Sequence, residues 1–157
     1  MAKPQNIEEA LARIHLFEGI RPEGLRRIAE IASEESHRIG QVIFKEGEGG
    51  SALYLILEGQ VRISREVSGM GEEALAVLKP GDAFGEMALI DEFPRSADAR
   101  VHERCRLLVI SKEALEDLLF LHKDLAYEIL WNFVKILSSR LRETNDKMTF
   151  LSVTGKF

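Results

Sequence analysis

The sequence predicts a mainly β fold, a jelly-roll-type β-barrel with helices ahead of it and a long helix behind it. Three observations carry that expectation. Short β-prone runs at Val42-Ile43-Phe44, Leu53 to Leu57, Val61-Arg62-Ile63 and Ala74 to Leu78 fill the middle of the chain. Glycine-bearing corners divide them, at Gly40, Gly47, Gly49-Gly50, Gly59, Gly69-Met70-Gly71 and Gly81. Both ends instead repeat apolar residues at helical spacing. Many short strands cut by glycine turns read as a sandwich or barrel.

At the N-terminus Asn6 reads as a helix cap, with Glu9 as its capping-box partner and Leu11, Ile14 and Phe17 on the apolar face. Pro22 opens a second helix through Leu25, Ile28, Ala29 and Ala32. From about Ser36 the period changes to that of strands. After Ile110 it returns to helix, with Ser111 as cap before Leu115, Leu118 and Leu119, and a long helix from about Asp124 to Lys147. The expected organisation is one domain over residues 1–157: N-terminal helices at about 6–33, barrel at about 36–110, C-terminal helices at about 112–147.

Composition narrows the function. The 157 residues are 45% hydrophobic and 30% charged, which suits a folded domain, and the net charge is −5. A chain built to hold DNA or an anionic membrane is more often basic. Cys105 is the single cysteine, so no internal disulfide forms, and its apolar flanks make it a small core residue. With no signal-peptide pattern and no apolar run near the roughly 18 residues a membrane span needs, the expected location is cytoplasmic. His15, His37, His102 and His122 are scattered, and no nucleophile elbow or Walker-type loop is present, so neither a metal site nor an enzyme is expected.

The chemistry concentrates in Phe84-Gly85-Glu86-Met87-Ala88-Leu89-Ile90-Asp91-Glu92-Phe93-Pro94-Arg95-Ser96-Ala97. Gly85 permits a sharp turn and a close backbone approach. A helical turn from Glu86 to Ile90 would aim its first amides outward as an anion nest. Pro94 stiffens the return, and Arg95 offers a planar cationic fork that matches phosphate oxygens. A carboxylate at Glu86 can accept hydrogen bonds from sugar hydroxyls. On residue types alone, an ion pair of Glu86 and Arg95 closing a barrel corner stands beside the phosphate-and-ribose reading.

This stretch resembles the phosphate-binding cassette of the cyclic-nucleotide-binding domain family. The resemblance extends from Leu16-Phe17-Glu18-Gly19-Ile20 through Leu53 to Val61 and Leu78-Lys79-Pro80-Gly81-Asp82 to Arg140-Leu141-Arg142. It implies that Glu86 holds the ribose 2′-hydroxyl. Arg95 then neutralises the cyclic phosphate, with the Ser96 hydroxyl and backbone amides of the Gly85-Glu86-Met87-Ala88 turn and Ala97. Ile63, Leu75 and Ala76 match barrel positions that pack around the nucleotide. Ser96, where guanine-preferring relatives have threonine, implies cyclic AMP over cyclic GMP. The chain departs from the family at Asp98, where many relatives carry threonine. Strand alternation puts Asp98 on the Ser96 face, and a carboxylate pointing inward there weakens phosphate binding.

The long helix carries Leu130, Val134, Leu137, Leu141, Thr144, Met148 and Leu151 at spacings of four and three, a coiled-coil seam, with Ala126, Ile129, Phe133 and Ile136 as a second stripe. The expectation is a homodimer through this helix; one wide face buried within the subunit is the other reading. By resemblance to the catabolite-activator branch of the family, Thr144 and Asn145 occupy positions that touch the base across the dimer seam. No recognition helix with basic flanks is present, so direct DNA binding is not expected of this chain, and the output falls to an unidentified protein partner or domain. The expected function is a non-catalytic sensor; the alternative is a degenerate member acting as a dimerisation or docking module without nucleotide.

Overall fold

The computed structural model describes residues 6–49, 52–86, 95 and 97–154. Helix α1 covers Ile7–Ala12, and Asn6 caps it by accepting from the Glu8 amide at 2.9 Å. The apolar run beyond it does not continue this helix: Ile14 is extended and His15–Phe17 forms a separate 3₁₀ turn. Helix α2 is Pro22–Ile31, and Ala32, expected on its apolar face, instead starts strand β1, Ala32–His37.

Five more strands follow: β2 Val42–Phe44, β3 Ala52–Val67, β4 Gly71–Leu78, β5 Ala83–Phe84 and β6 Asp98–Ser111. All pairings are antiparallel, in the order β1-β6-β3-β4, with β2 on β6 and β5 on β3. The runs at Leu53 and Val61, which Gly59 separates in the sequence pattern, are one bent strand. Gly59 takes φ +87° and the ladder with β6 shifts register on both sides of it.

Ser111 caps α3, Lys112–Leu121, by accepting from the Ala114 amide. Helix α4 runs Lys123–Thr154, about 48 Å, and so passes the expected end at Lys147. The apolar period of Met148 and Leu151 outlasts the charged cluster at Glu143 to Lys147.

The two faces of β3 and β6 feed two cores. Leu53, Leu55, Leu108 and Ile110 pack with Leu11, Phe17 and Ile28 and with Leu118, Leu125, Ile129 and Phe133 of the helices. Ile56, Val61, Val101, Cys105 and Leu107 pack with Phe44 and Phe84 on the other side. Cys105 is a core residue: burial pushes its thiol up, and Sγ meets the carbonyls of Gln60 and Glu103. Asn132 docks α4 on the 3₁₀ turn by donating to the carbonyls of Leu16 and Glu18. The start of α4 is thereby fixed to the domain while its far half projects with most side chains exposed. Among the described residues no helix is long and apolar enough to cross a membrane, and no side-chain cluster is arranged to hold a metal.

Candidate functional site

Strand β5 ends at Phe84, and Gly85 turns the chain with φ +81°. A Cβ at Gly85 would lie 2.7 Å from Nη1 of Arg95 and 2.9 Å from the Ala52 carbonyl, so only glycine lets the guanidinium seat here. Arg95 comes from the far side of the cassette and is 7% exposed. Nη1 donates to the Gly85 carbonyl at 2.8 Å and Nη2 to the Ala52 carbonyl at 3.1 Å. The guanidinium carbon sits 4.2 Å from the ring centroid of Phe44, a cation–π contact. Phe44, Tyr54 and Phe84 pack around one another, the last two stacked at 5.0 Å, and form an aromatic wall behind the cation.

Among the described residues the electrostatics of this corner are unbalanced. Among the described residues no carboxylate lies within ion-pair distance of Arg95, and its Nε is buried without a hydrogen-bond partner. Burial pushes the guanidinium below its ordinary pKa; Tyr54, Glu86 and Glu48 at longer range oppose that. A buried cation without an anion is costly, and an anion of phosphate type would balance it.

Glu86, 8% exposed, is not paired with Arg95. The Glu86–Arg95 ion pair that residue types alone would allow is therefore replaced by another: Arg140 of α4 donates through Nη1 to Oε1 of Glu86. Reading from sequence places Arg140 only in a basic run of the long helix, and 54 residues separate it from Glu86. Beside this pair a cavity of about 200 Å³ opens between the barrel and α4, lined by Asp82, Glu86, Phe133, Ile136 and Arg140 among others.

The remaining expected residues distribute as follows. Ala97 is buried next to Arg95 in sequence. Ile63 and Ala76 are direct cross-strand partners, and Leu75 falls at the irregularity between Ile63 and Ser64, half exposed with Ala76 on the open strand β4. Thr144 and Asn145 are exposed on α4, one turn past Arg140, and Thr144 Oγ1 donates back to the Arg140 carbonyl. Within its own subunit this places neither in the corner formed by Arg95. Met87, Ala88 and Ser96, and the turn expected from Glu86 to Ile90, lie outside the described residues.

Asp98 points elsewhere than the sequence suggests. Its Oδ1 accepts from the Glu46 amide at 2.7 Å, while Gly47 donates to the Arg95 carbonyl and Arg95 to the Glu48 carbonyl, both at 2.8 Å. The carboxylate is thus spent on pinning the 45–49 turn against the start of β6. Asp98→Ala should cost about 1–2 kcal/mol of stability through the orphaned Glu46 amide. Urea denaturation measures it, and an unchanged midpoint would show that solvent replaces the bond.

The family model described as the cyclic nucleotide-binding domain matches residues 34–122, more than half of the chain. The cyclic AMP receptor protein of Thermus thermophilus is 38% identical over 137 residues, 87% of this chain and 62% of that protein. A CRP-like cAMP-activated global transcriptional regulator of Mycobacterium tuberculosis is 29% identical over 148 residues, 94% of this chain and 64% of its own length. The chain spans less than two thirds of either relative. Among solved structures, a cyclic nucleotide-binding domain from Methylobacillus flagellatus superposes with TM-score 0.79 at 29% identity, covering 91% of this chain and 80% of that one. The matched model and the 38% identity to the Thermus thermophilus relative agree: the chain belongs to the cyclic nucleotide-binding domain family.

Proposed function

We propose that this chain is a non-catalytic sensor that binds a cyclic nucleotide, cyclic AMP in preference to cyclic GMP, and signals occupancy through α4. The observation that carries the reading is Arg95: a buried guanidinium with a free Nε and no carboxylate partner among the described residues. A cyclic phosphate carries one negative charge on two exposed oxygens, which suits a planar fork. Ser96 and the amides of Met87, Ala88 and Ala97 complete its shell, and Glu86 accepts from the ribose 2′-hydroxyl. Ile63, Leu75 and Ala76 supply the apolar side of the pocket.

Arg140 gives the coupling a physical route. It joins α4 to the carboxylate assigned to the ribose, so ligand arriving at Glu86 changes what holds the helix. The exposed seam of Leu130, Val134, Leu137, Leu141 and Met148 supports a parallel homodimer. With Val134 and Leu141 at a and Leu137 and Thr144 at d, Arg140 is a g residue and Asn145 an e residue. A g residue lies against the e residue of the partner's following heptad, so Arg140 faces Asn145 of the partner subunit, at the edge of the site. In-register pairing also sets Thr144 against Thr144 of the partner subunit, polar against polar.

A second reading, a barrel kept as a dimerisation module without nucleotide, draws on one observation: Glu86 and Arg95 already have partners within the chain. Titration calorimetry of nucleotide-stripped protein with cyclic AMP and, separately, cyclic GMP decides between them. Micromolar or tighter binding with cyclic AMP ahead is the expected result. Silence with both nucleotides, in protein shown to be folded, would leave the docking module.

A further inference from the structure

One short segment holds Arg95 at both ends. At the main chain, the Arg95 amide donates to the Glu48 carbonyl and the Arg95 carbonyl accepts from the Gly47 amide, both at 2.8 Å. At the tip, Cζ lies over the ring of Phe44, 4.2 Å from its centroid. Phe44 is the last residue of β2, buried, with Tyr54 and Phe84 tilted against it at 6.0 Å each. Two neighbouring rings therefore fix the face that Phe44 turns to the cation. The carbonyls of Gly85 and Ala52 take one donor each from the two terminal nitrogens. Among the described residues the seat is thus made of neutral groups alone.

A carboxylate in this seat would hold the guanidinium firmly and cancel its charge before any ligand arrived. The negative face of a phenyl ring orders a desolvated guanidinium and leaves its charge whole. We propose that Phe44 is a positioning residue for Arg95, keeping the guanidinium ordered before ligand arrives and still short of an anion. The inference rests on the cyclic-nucleotide reading and adds the group through which the barrel presents its cation. Phe44 acts through Arg95, so its effect lies in order already present before binding. A leucine at position 44 fills most of the same space and offers no π face. Arg95 then has to be ordered by the phosphate as it binds, and immobilising one long side chain lowers affinity by about three- to tenfold.

The native chain, Phe44→Leu, Arg95→Ala and the double variant are titrated with cyclic AMP and cyclic GMP by calorimetry. The Arg95 Nε–H of the ligand-free protein is followed by NMR relaxation. The expected result for Phe44→Leu is a loss of affinity of about three- to tenfold and a more mobile Arg95 Nε–H. When Arg95 is already alanine, Phe44→Leu should bring almost no further loss. Mono-, di- and trifluorinated phenylalanine at position 44 keep the ring's shape while weakening its negative face in steps, and affinity should fall in the same order. The fluorinated chains decide the matter if Phe44→Leu does not fold. Unchanged affinity in Phe44→Leu or across that series, or an equal loss with and without Arg95, overturns the positioning role and leaves nucleotide binding standing. A folded native chain that binds neither nucleotide overturns both.

Discussion

Replacing Arg95 with alanine is expected to lower affinity for cyclic AMP by about a hundredfold or more while leaving the empty protein folded. The two halves of that result have the same cause. In the empty protein the guanidinium is 7% exposed, held by two carbonyl oxygens and a phenyl face, with nothing of opposite charge in contact among the described residues. Removing it forfeits two hydrogen bonds, yet it also removes a desolvated charge, so the net cost to stability is modest. In the proposed complex the same side chain neutralises the phosphate, and its loss would strand a partly buried charge. Breaking such a pair costs about 3–5 kcal/mol, which is on the order of a hundred- to a thousandfold in dissociation constant. Arg95→Lys separates charge from shape: it keeps the cation and loses the fork and the stacking on Phe44, so its affinity should fall between the two. Calorimetric titration gives the affinities, and a thermal melt without ligand gives the control. Unchanged affinity in Arg95→Ala would remove this residue from the site.

The sharp turn at Gly85 and the arginine seated behind it are legible in the sequence because they are local. Gly85, Glu86 and Arg95 lie within eleven consecutive residues, and each residue type has few reasons to be there other than a tight turn, an acceptor and a cation. The barrel is legible through its corners, since Gly40, Gly47, Gly69, Gly71 and Gly81 all adopt positive φ. What stays hidden depends on where distant segments meet. The partner of Glu86 is on the last helix, and an arginine in a charged helical run carries no mark that separates an ion-pairing residue from a solvated one. Asp98 eludes a sequence reading for a related reason: alternation fixes the face of a strand residue, while the amide it satisfies belongs to a turn more than fifty positions earlier, a separation of 52. The end of α4 lies beyond its expected place because the helix carries the apolar period of Met148 and Leu151 past Lys147.

Gly59 reads in sequence as a corner that ends a strand, and its real role leads to the largest stability effect expected of any single methyl group here. Strand β3 runs unbroken from Ala52 to Val67, and at Gly59 it bends across the backbone of β6. A Cβ at this position would lie 2.1 Å from the Arg104 carbonyl oxygen, 2.7 Å from its carbon and 2.8 Å from Cα of Cys105. All three are main-chain atoms of the strand that pairs with β3 on both sides, so no side chain can swing away to make room. Leu53, Leu55 and Ile56 before the bend and Val61 after it are fully buried, so relieving the clash means separating the two strands that carry both cores. Gly59→Ala should therefore cost about 4 kcal/mol or more, a large fraction of a typical domain's roughly 5–15 kcal/mol. Gly40 provides the control, with φ +83° and nothing within 4 Å of an added methyl. Gly40→Ala bears only the left-handed backbone penalty of about 1–2 kcal/mol. The difference between the two midpoints in urea isolates the collision from the dihedral. Equal losses would mean that β3 and β6 slide apart at the bend at little cost, and that the close crossing at Gly59 is not what holds the two halves of the strand in one sheet.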